Sequence, residues 1–370
     1  MIRLTIPHIG NKEIKAVSNV LRSGFLTQGN GVQKFENTIK DYVGSKHAMA
    51  VSSGTAALHL ALLALGIGKG DEIIIPDFTF PATCNVIELV GAKPILVDIK
   101  LDTFNIDESL IEKAITSKTK AIMPVHLFGQ SAEMETILKI ARTNNLFVIE
   151  DAACALGASY RGKPCGTLGD IGCFSFHPRK VMTTGEGGMV VTDNDEIVKK
   201  IRLLRNHGLE TSKRYPVFQM AGFNCRLTEF QAALGLVQCN KLETMILHRI
   251  ALAKEYDYLF QELDDVIIPA IDSNRRHIYQ SYVILLKNQK LRNKVIQELK
   301  KRNIETNFGT YALSLQKYYK KYCTKGHVLR CSKKAFFRSI ALPIYSGMKN
   351  SQVLKVARSL KRILNNEKSW

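Results

Sequence analysis

Between residues 46 and 192, short apolar runs alternate with stretches of helical periodicity. The apolar runs predict strands at 48–51, 72–75, 94–97, 121–125, 147–150, 171–176 and 189–192. Helical segments at 55–65, 83–89, 109–115 and 133–143 fall between them. That alternation predicts an α/β fold, with a mainly parallel sheet covered by helices on both faces. Segment 55–65 is apolar on nearly every side, so it is expected deep inside. Ligands of such sheets bind beyond the carboxyl ends of the strands. Asp151, directly after the run Leu146-Phe-Val-Ile-Glu, stands at such an end.

Residues 228–263 contain almost no helix breaker and read as one or two long helices. They separate a large domain, 1–240, from a smaller carboxy-terminal α/β domain, 241–370. The smaller domain is expected to hold strands at 282–286 and 304–308 and helices at 293–302 and 351–363. An amino-terminal arm, 1–30, carries the loop-like segment Gly24-Phe-Leu-Thr-Gln-Gly29. Neither an internal repeat nor a low-complexity segment is present.

Composition narrows the class. No uninterrupted apolar run approaches a membrane span, and the opening residues lack the shape of a signal peptide. The eight cysteines (84, 154, 165, 173, 225, 239, 323 and 331) never form a C-x-x-C pair. Scattered thiols of this kind suit a reduced, cytoplasmic enzyme, and they argue against a zinc or iron–sulfur site. The net charge of +19 is uneven: residues 281–370 hold 21 Lys+Arg against three acids. A solvated basic face explains such a run, and attraction of a polyanion such as a nucleotide diphosphate is the sharper reading. No nucleic-acid motif accompanies it, so a nucleic-acid binder is the weaker reading from a different class.

The chemistry lies in two short segments. Lys180 ends Cys173-Phe-Ser-Phe-His-Pro-Arg-Lys180 and is followed by Gly185-Glu-Gly-Gly188. A free lysine has a pKa of ~10.4, so only roughly one side chain in a few thousand is unprotonated at neutral pH. It becomes a useful nucleophile when desolvated or held in a Schiff base. Asp151 would be costly to bury without a partner. An acid at the end of a buried strand and a lysine beside a glycine turn form the pair that holds pyridoxal 5′-phosphate (PLP). The lysine takes the cofactor aldehyde, and the acid keeps the pyridine nitrogen protonated. Ser53-Gly-Thr-Ala-Ala57 offers helix-start amides at Gly54, Thr55 and Ala56 for a phosphate, and Ser175 can add a hydroxyl. Phe80 is a candidate to stack on the pyridine ring. Each feature has a plainer reading: a surface lysine, a helix-capping aspartate, a capping serine, a core phenylalanine. Glu150, His126, His177 and His207 are expected to be structural.

Together the segments resemble the DegT/DnrJ/EryC1/StrS family of sugar aminotransferases, within the fold-type-I PLP enzymes. The likeness spans nearly the whole chain. It includes Gly70-Asp-Glu-Ile-Ile-Ile-Pro76, Thr79-Phe-Pro-Ala-Thr83, Gly91-Ala-Lys-Pro-Ile-Leu-Val-Asp98 and Val125-His-Leu-Phe-Gly129. It continues through Glu150-Asp-Ala-Ala153, Arg205-Asn-His-Gly208, Gly222-Phe-Asn-Cys-Arg226, Glu229-Phe-Gln-Ala-Ala233 and Leu342-Pro343. The resemblance implies a homodimer with its active sites at the subunit interface. It implies that Lys180 forms the Schiff base, Asp151 meets the ring nitrogen, Phe80 stacks on the ring, and Gly54, Thr55 and Ser175 bind the phosphate. Asn224 would reach the partner's site. L-glutamate is the implied amino donor, and the implied acceptor is a keto group at C3 or C4 of a nucleotide-linked deoxysugar.

Cys154 stands where the family usually has Gln or His near the cofactor's phenolic oxygen, Arg179 stands where Thr is common, and Cys225 replaces a frequent aromatic. Segment Asn307-Phe-Gly-Thr-Tyr-Ala-Leu313 also departs from its usual form. These departures bear on the acceptor sugar more than on the reaction. A sugar dehydratase of the same fold and a cyclitol aminotransferase are the alternatives, and retention of Lys180 favours transamination over dehydration.

Overall fold

The computed structural model describes residues 1–211, 215–323 and 328–368. Seven strands build the central sheet: β1 His47–Val51, β2 Glu72–Pro76, β3 Lys93–Val97, β4 Thr119–Ile122, β5 Phe147–Asp151, β6 Ile171–Ser175 and β7 Gly188–Thr192. Their spatial order is β1-β7-β6-β5-β4-β2-β3. Only β7 runs against the rest, pairing antiparallel with both β1 and β6, while β6, β5, β4, β2 and β3 pair in parallel. Each expected strand of this region appears, to within a few residues.

Both faces of the sheet are covered, so successive side chains enter opposite cores. Ile73 and Ile75 pack into one apolar cluster and Ile74 into another. Likewise Met49 and Val51 point to one side, Ala48 and Ala50 to the other. Helix α1 covers Asn11–Ser23, α2 Asn30–Val43, α3 Gly54–Ala64 and α4 Pro81–Leu89. Ser53 caps α3, accepting the Ala56 N–H at 3.0 Å. Seven of its eleven residues are buried, as its apolar composition predicts. The expected helix at 109–115 is instead a 3-10 turn, Glu108–Leu110, running into one helical turn, Ile111–Ala114. Ile115 is already extended and ends it. Helix α5, Met134–Thr143, and helix α6, Asp195–Leu204, complete the layers around the sheet.

The run from residue 228 divides into α7, Glu229–Cys239, and α8, Leu242–Phe260. Beyond it a three-stranded antiparallel sheet joins β8 Val266–Ile267, β9 Tyr282–Leu286 and β10 Ser339–Leu342, with β9 central. Helix α9, Arg292–Lys301, and helix α11, Asn350–Lys368, flank this sheet, and α10, Arg330–Arg338, lies between the two parts of the molecule. The expected strand at 304–308 does not form. Ile304 makes one parallel bridge to Ile2, and Asn307 one antiparallel bridge to Ala341. The segment touches a different partner at each end, so no ladder can propagate. Ile2 is buried in the carboxy-terminal core beside Ile304. Two buried carboxylates join the halves. Asp77 accepts from the Ser314 N–H and hydroxyl, both at 2.7 Å, and Asp98 caps α10 through the Cys331 and Ser332 amides, both at 2.8 Å. Among the described residues no helix is long and apolar enough to cross a membrane.

Candidate active site

The turns that follow β5 and β6 bring Cys154 and Lys180 into a single cleft. Asp151 is the last residue of β5 and is 5% exposed. Its Oδ2 accepts from the Thr83 hydroxyl at 2.8 Å and its Oδ1 from the Ala153 N–H at 3.2 Å. Burial pushes the Asp151 carboxyl above its ordinary range, and the Thr83 and Ala153 donors, with the charge of Lys180, only partly offset it. Thr83 is itself paired with Thr79, hydroxyl to hydroxyl, at 3.0 Å.

Neighbouring Glu150 points to the other face, as strand alternation requires. It is completely buried, and its carboxylate accepts from the amides of Gly166, Leu168 and Gly169 at 2.6 to 2.7 Å. His126 completes this set. Its Nδ1 accepts the Ala132 N–H at 3.1 Å, so its Nε2 carries the proton that it donates to Glu150 at 2.7 Å. Glu150 and His126 are thereby both committed to the fold.

Lys180 sits on the turn after β6, where its N–H donates to the His177 carbonyl at 2.8 Å. Its Nζ lies 3.0 Å from the Sγ of Cys154, which stands on the turn after β5. Lys180, Cys154 and Phe80 line one cavity of about 180 Å3. Phe80 is 62% exposed there, edge-on to Tyr311.

The start of α3 closes against the end of β6. A Cβ on Gly54 would meet the Ser175 Cβ at 2.7 Å, so only glycine lets helix and strand approach this closely. The Gly54 and Thr55 amides meet no acceptor among the described residues. Ala56 departs from the expected cradle, because its amide already donates to Ser53. The Ser175 hydroxyl accepts only a long contact, 3.4 Å, from the His177 amide. Asn224 is exposed and holds the Arg226 Nε at 3.1 Å, outside the wall of the Lys180 cavity. The adjacent Cys225 carbonyl accepts from Ser52 at 2.9 Å, which ties this strip to the loop before α3.

The far wall of the cleft has no local signature in the sequence. It is built from Leu4 and Thr5, Gln280 and Ser281, and residues 307–310. Gln280 donates its side-chain amide to the Arg179 carbonyl, one residue before the lysine. Its own carbonyl is held by Arg249, whose guanidinium is completely buried and donates to the carbonyls of Tyr279, Gln280 and Ile344 at 3.0 to 3.3 Å. Burial lowers the pKa of Arg249 to about 10.

A buried acid facing a lysine amine, with free helix-start amides at the side, can hold a cofactor bearing a cationic ring nitrogen, an aldehyde and a phosphate. Comparison with known proteins agrees. A sequence model described as the DegT/DnrJ/EryC1/StrS aminotransferase family matches residues 7–361. An uncharacterized protein of Methanocaldococcus jannaschii, MJ1066, is 43% identical over 373 residues, covering 97% of this chain and 96% of its own. The GDP-perosamine synthase of Caulobacter vibrioides is 38% identical over 367 residues, 98% of each chain. The solved structure of Spr1654 from Streptococcus pneumoniae in its PLP form superposes with a TM-score of 0.94 at 30% identity, covering 99% of both chains.

Proposed function

The chain belongs to the DegT/DnrJ/EryC1/StrS aminotransferase family and is a PLP-dependent sugar aminotransferase, and from that premise we propose that it moves an amino group from L-glutamate to a keto group at C3 or C4 of a nucleotide-activated deoxysugar. The product is an amino sugar for a surface polysaccharide. The observation that carries this reading is the Lys180 amine in its cleft beside Cys154 and Phe80, with the buried Asp151 carboxyl close enough to feel its charge.

Bound PLP supplies an electron sink that accepts the amino group and hands it on. Lys180 would anchor the cofactor covalently and, as a free amine, would carry the proton between the donor's α-carbon and C4′ of the cofactor. Asp151 presents its carboxylate to the ring nitrogen. The raised pKa of that carboxyl supports the role, since a cation beside it would offset the burial that opposes its charge. Phe80 would cover one ring face, and Gly54, Thr55 and Ser175 would take the phosphate. Cys154, 3.0 Å from the Lys180 amine, would meet the phenolic side of the ring.

We assign the working form as a homodimer in which Asn224 serves the partner's site. Exposed apolar residues support it: Phe25 is 81% exposed, Phe218 70% and Ile14, on α1, 62%. The likeness to a GDP-perosamine synthase supports a nucleotide-linked acceptor. The test incubates purified protein, PLP and L-glutamate with a panel of nucleotide-linked keto sugars, read by mass for exchange of oxygen for amine. Amine incorporation that Lys180→Ala abolishes is the expected result. A deoxy product without added nitrogen would reverse the assignment.

A further inference from the structure

The Lys180 cavity does not end at its own rim. A second cavity of about 500 Å3 shares Leu4, Thr5, Arg179 and Asn307 with it, so the two form one trough from the amine to the surface. Arg179 borders both halves, and Arg3 borders the outer one. Neither guanidinium forms an ion pair among the described residues, although the chain pairs many of its other surface cations with acids. The acid in the trough, Glu305, turns one oxygen to the Leu4 N–H at 3.0 Å. In the same wall the Thr306 hydroxyl is buried without a hydrogen-bond partner.

Two arginines in one trough repel each other, and a lone buried hydroxyl is unfavourable. Both arginines are exposed to solvent. Arg179 lines the cavity that holds the Lys180 amine, and Arg3 lines the cavity beyond it. The turn that presents Arg179 is also fixed on both sides. Its N–H donates to the His177 Nδ1 at 3.2 Å, and its carbonyl accepts from Gln280.

We propose that Arg179 is the oxyanion-recognising residue of this active site and that Arg3 extends the same recognition outward. Resting on the transaminase reading, the proposal adds a specificity-determining residue to it. Both implied substrates are anionic: the amino donor through its carboxylates, the acceptor through its diphosphate. A single site that meets them in turn needs a cation beside the amine for either one. A guanidinium fits both groups, since its paired N–H donors match carboxylate and phosphate oxygens alike.

The test compares wild type with Arg179→Lys and Arg179→Ala in two arms. Calorimetric titration with uridine and guanosine diphosphates measures oxyanion binding directly and needs no turnover. Titration of the PLP-loaded protein with L-glutamate, followed in the visible cofactor band, measures the donor. Arg179→Ala is expected to weaken at least one ligand by about 10- to 100-fold, with Arg179→Lys in between and an unchanged melting temperature. The arm that weakens identifies which anion Arg179 holds. Unchanged binding of both ligands in Arg179→Ala would overturn the proposal, as would a wild type that binds neither. Absence of a cofactor band in wild type would instead strike the transaminase reading, and the diphosphate arm would still decide the role of Arg179.

Discussion

The Lys180 Nζ and the Cys154 Sγ meet at 3.0 Å across the ends of β6 and β5. This contact brings a thiol against the amine that defines the site. The pair also makes the cysteine a reporter. Cys154 is half-buried in an open cleft, whereas Cys84, Cys165 and Cys173 are buried, and burial drives their thiols up, Cys84 to about 12. Iodoacetamide should therefore label Cys154 and exposed Cys323 in cofactor-free protein and spare the three buried thiols. Added PLP should protect Cys154 and leave Cys323 unchanged, as read by peptide mass spectrometry. Equal labelling of Cys154 with and without PLP would separate it from the cofactor.

Asp151 sets stability against function. Its folded-state carboxyl holds a proton to higher pH than an unfolded aspartate does. The folded state therefore binds more protons, and stability falls as pH rises from ~4 through the raised pKa. Each unit of separation corresponds to ~1.4 kcal/mol. Cofactor-free Asp151→Asn should then melt above wild type at about pH 8, by ~2 °C or more, with the gap closing toward about pH 4. The same variant should bind PLP at least ~10-fold more weakly, since it lacks a carboxylate for the ring nitrogen. Matching melting curves at both pH values would refute the first half, and unaltered PLP affinity the second.

Glu229 organises the chain around Gly29. Its Oε1 accepts from Gly29 at 2.8 Å and Val32 at 2.9 Å, and its Oε2 from Gly31 at 2.8 Å, so one carboxylate caps the start of α2. Glu229→Ala strands three amides and should lower unfolding free energy by about 2–4 kcal/mol, with Glu229→Gln intermediate. Gly31→Ala should cost a similar amount, because its Cβ would fall 2.4 Å from Oε2. Denaturant unfolding checks each, and a loss under ~0.5 kcal/mol in all three would contradict the cap.

His277 gives acid its point of attack. The ring is buried, stacks on Tyr279 at 4.1 Å and accepts the Tyr279 N–H at Nδ1, and burial pushes its pKa down to about 3. An unfolded histidine takes its proton at ~6.5, so the unfolded state binds more protons below that value. Stability should fall on acidification through this window, by up to ~1.4 kcal/mol per pH unit. His277→Asn, which retains an acceptor for the Tyr279 amide, should flatten that slope in urea unfolding. An unchanged slope would place the acid sensitivity elsewhere.

Much of this site could be read from the chain because the strands announce themselves. Each of the seven apolar runs became a strand, and Lys180, Phe80 and Cys154 border one cleft. What escaped has physical reasons. Helix α1 turns Ile14 and Leu21 outward and buries only Glu13, so its pattern did not read as a helix packed on a core. Strand β10 has four residues, and its sheet partners lie far away in the chain. The far wall of the cleft joins Thr5, Ser281 and Gly309, residues without distinctive chemistry, through tertiary contact alone. Ala56 was expected to offer a free amide, but a capping serine three residues earlier competes for it and wins.

The pairing of Ile2 with Ile304 also constrains the order in which the protein can be made. Leu4 and its partner Glu305 are separated by 301 positions, and Ile2 lies in a core whose other members all come from the last third of the chain. During synthesis Ile2 and Leu4 must wait until Ile304 and Glu305 have left the ribosome, at ~5–20 residues per second. The wall of the cleft that Leu4 and Thr5 form is therefore among the last parts of the catalytic centre to close, waiting on a segment made 301 residues after Leu4.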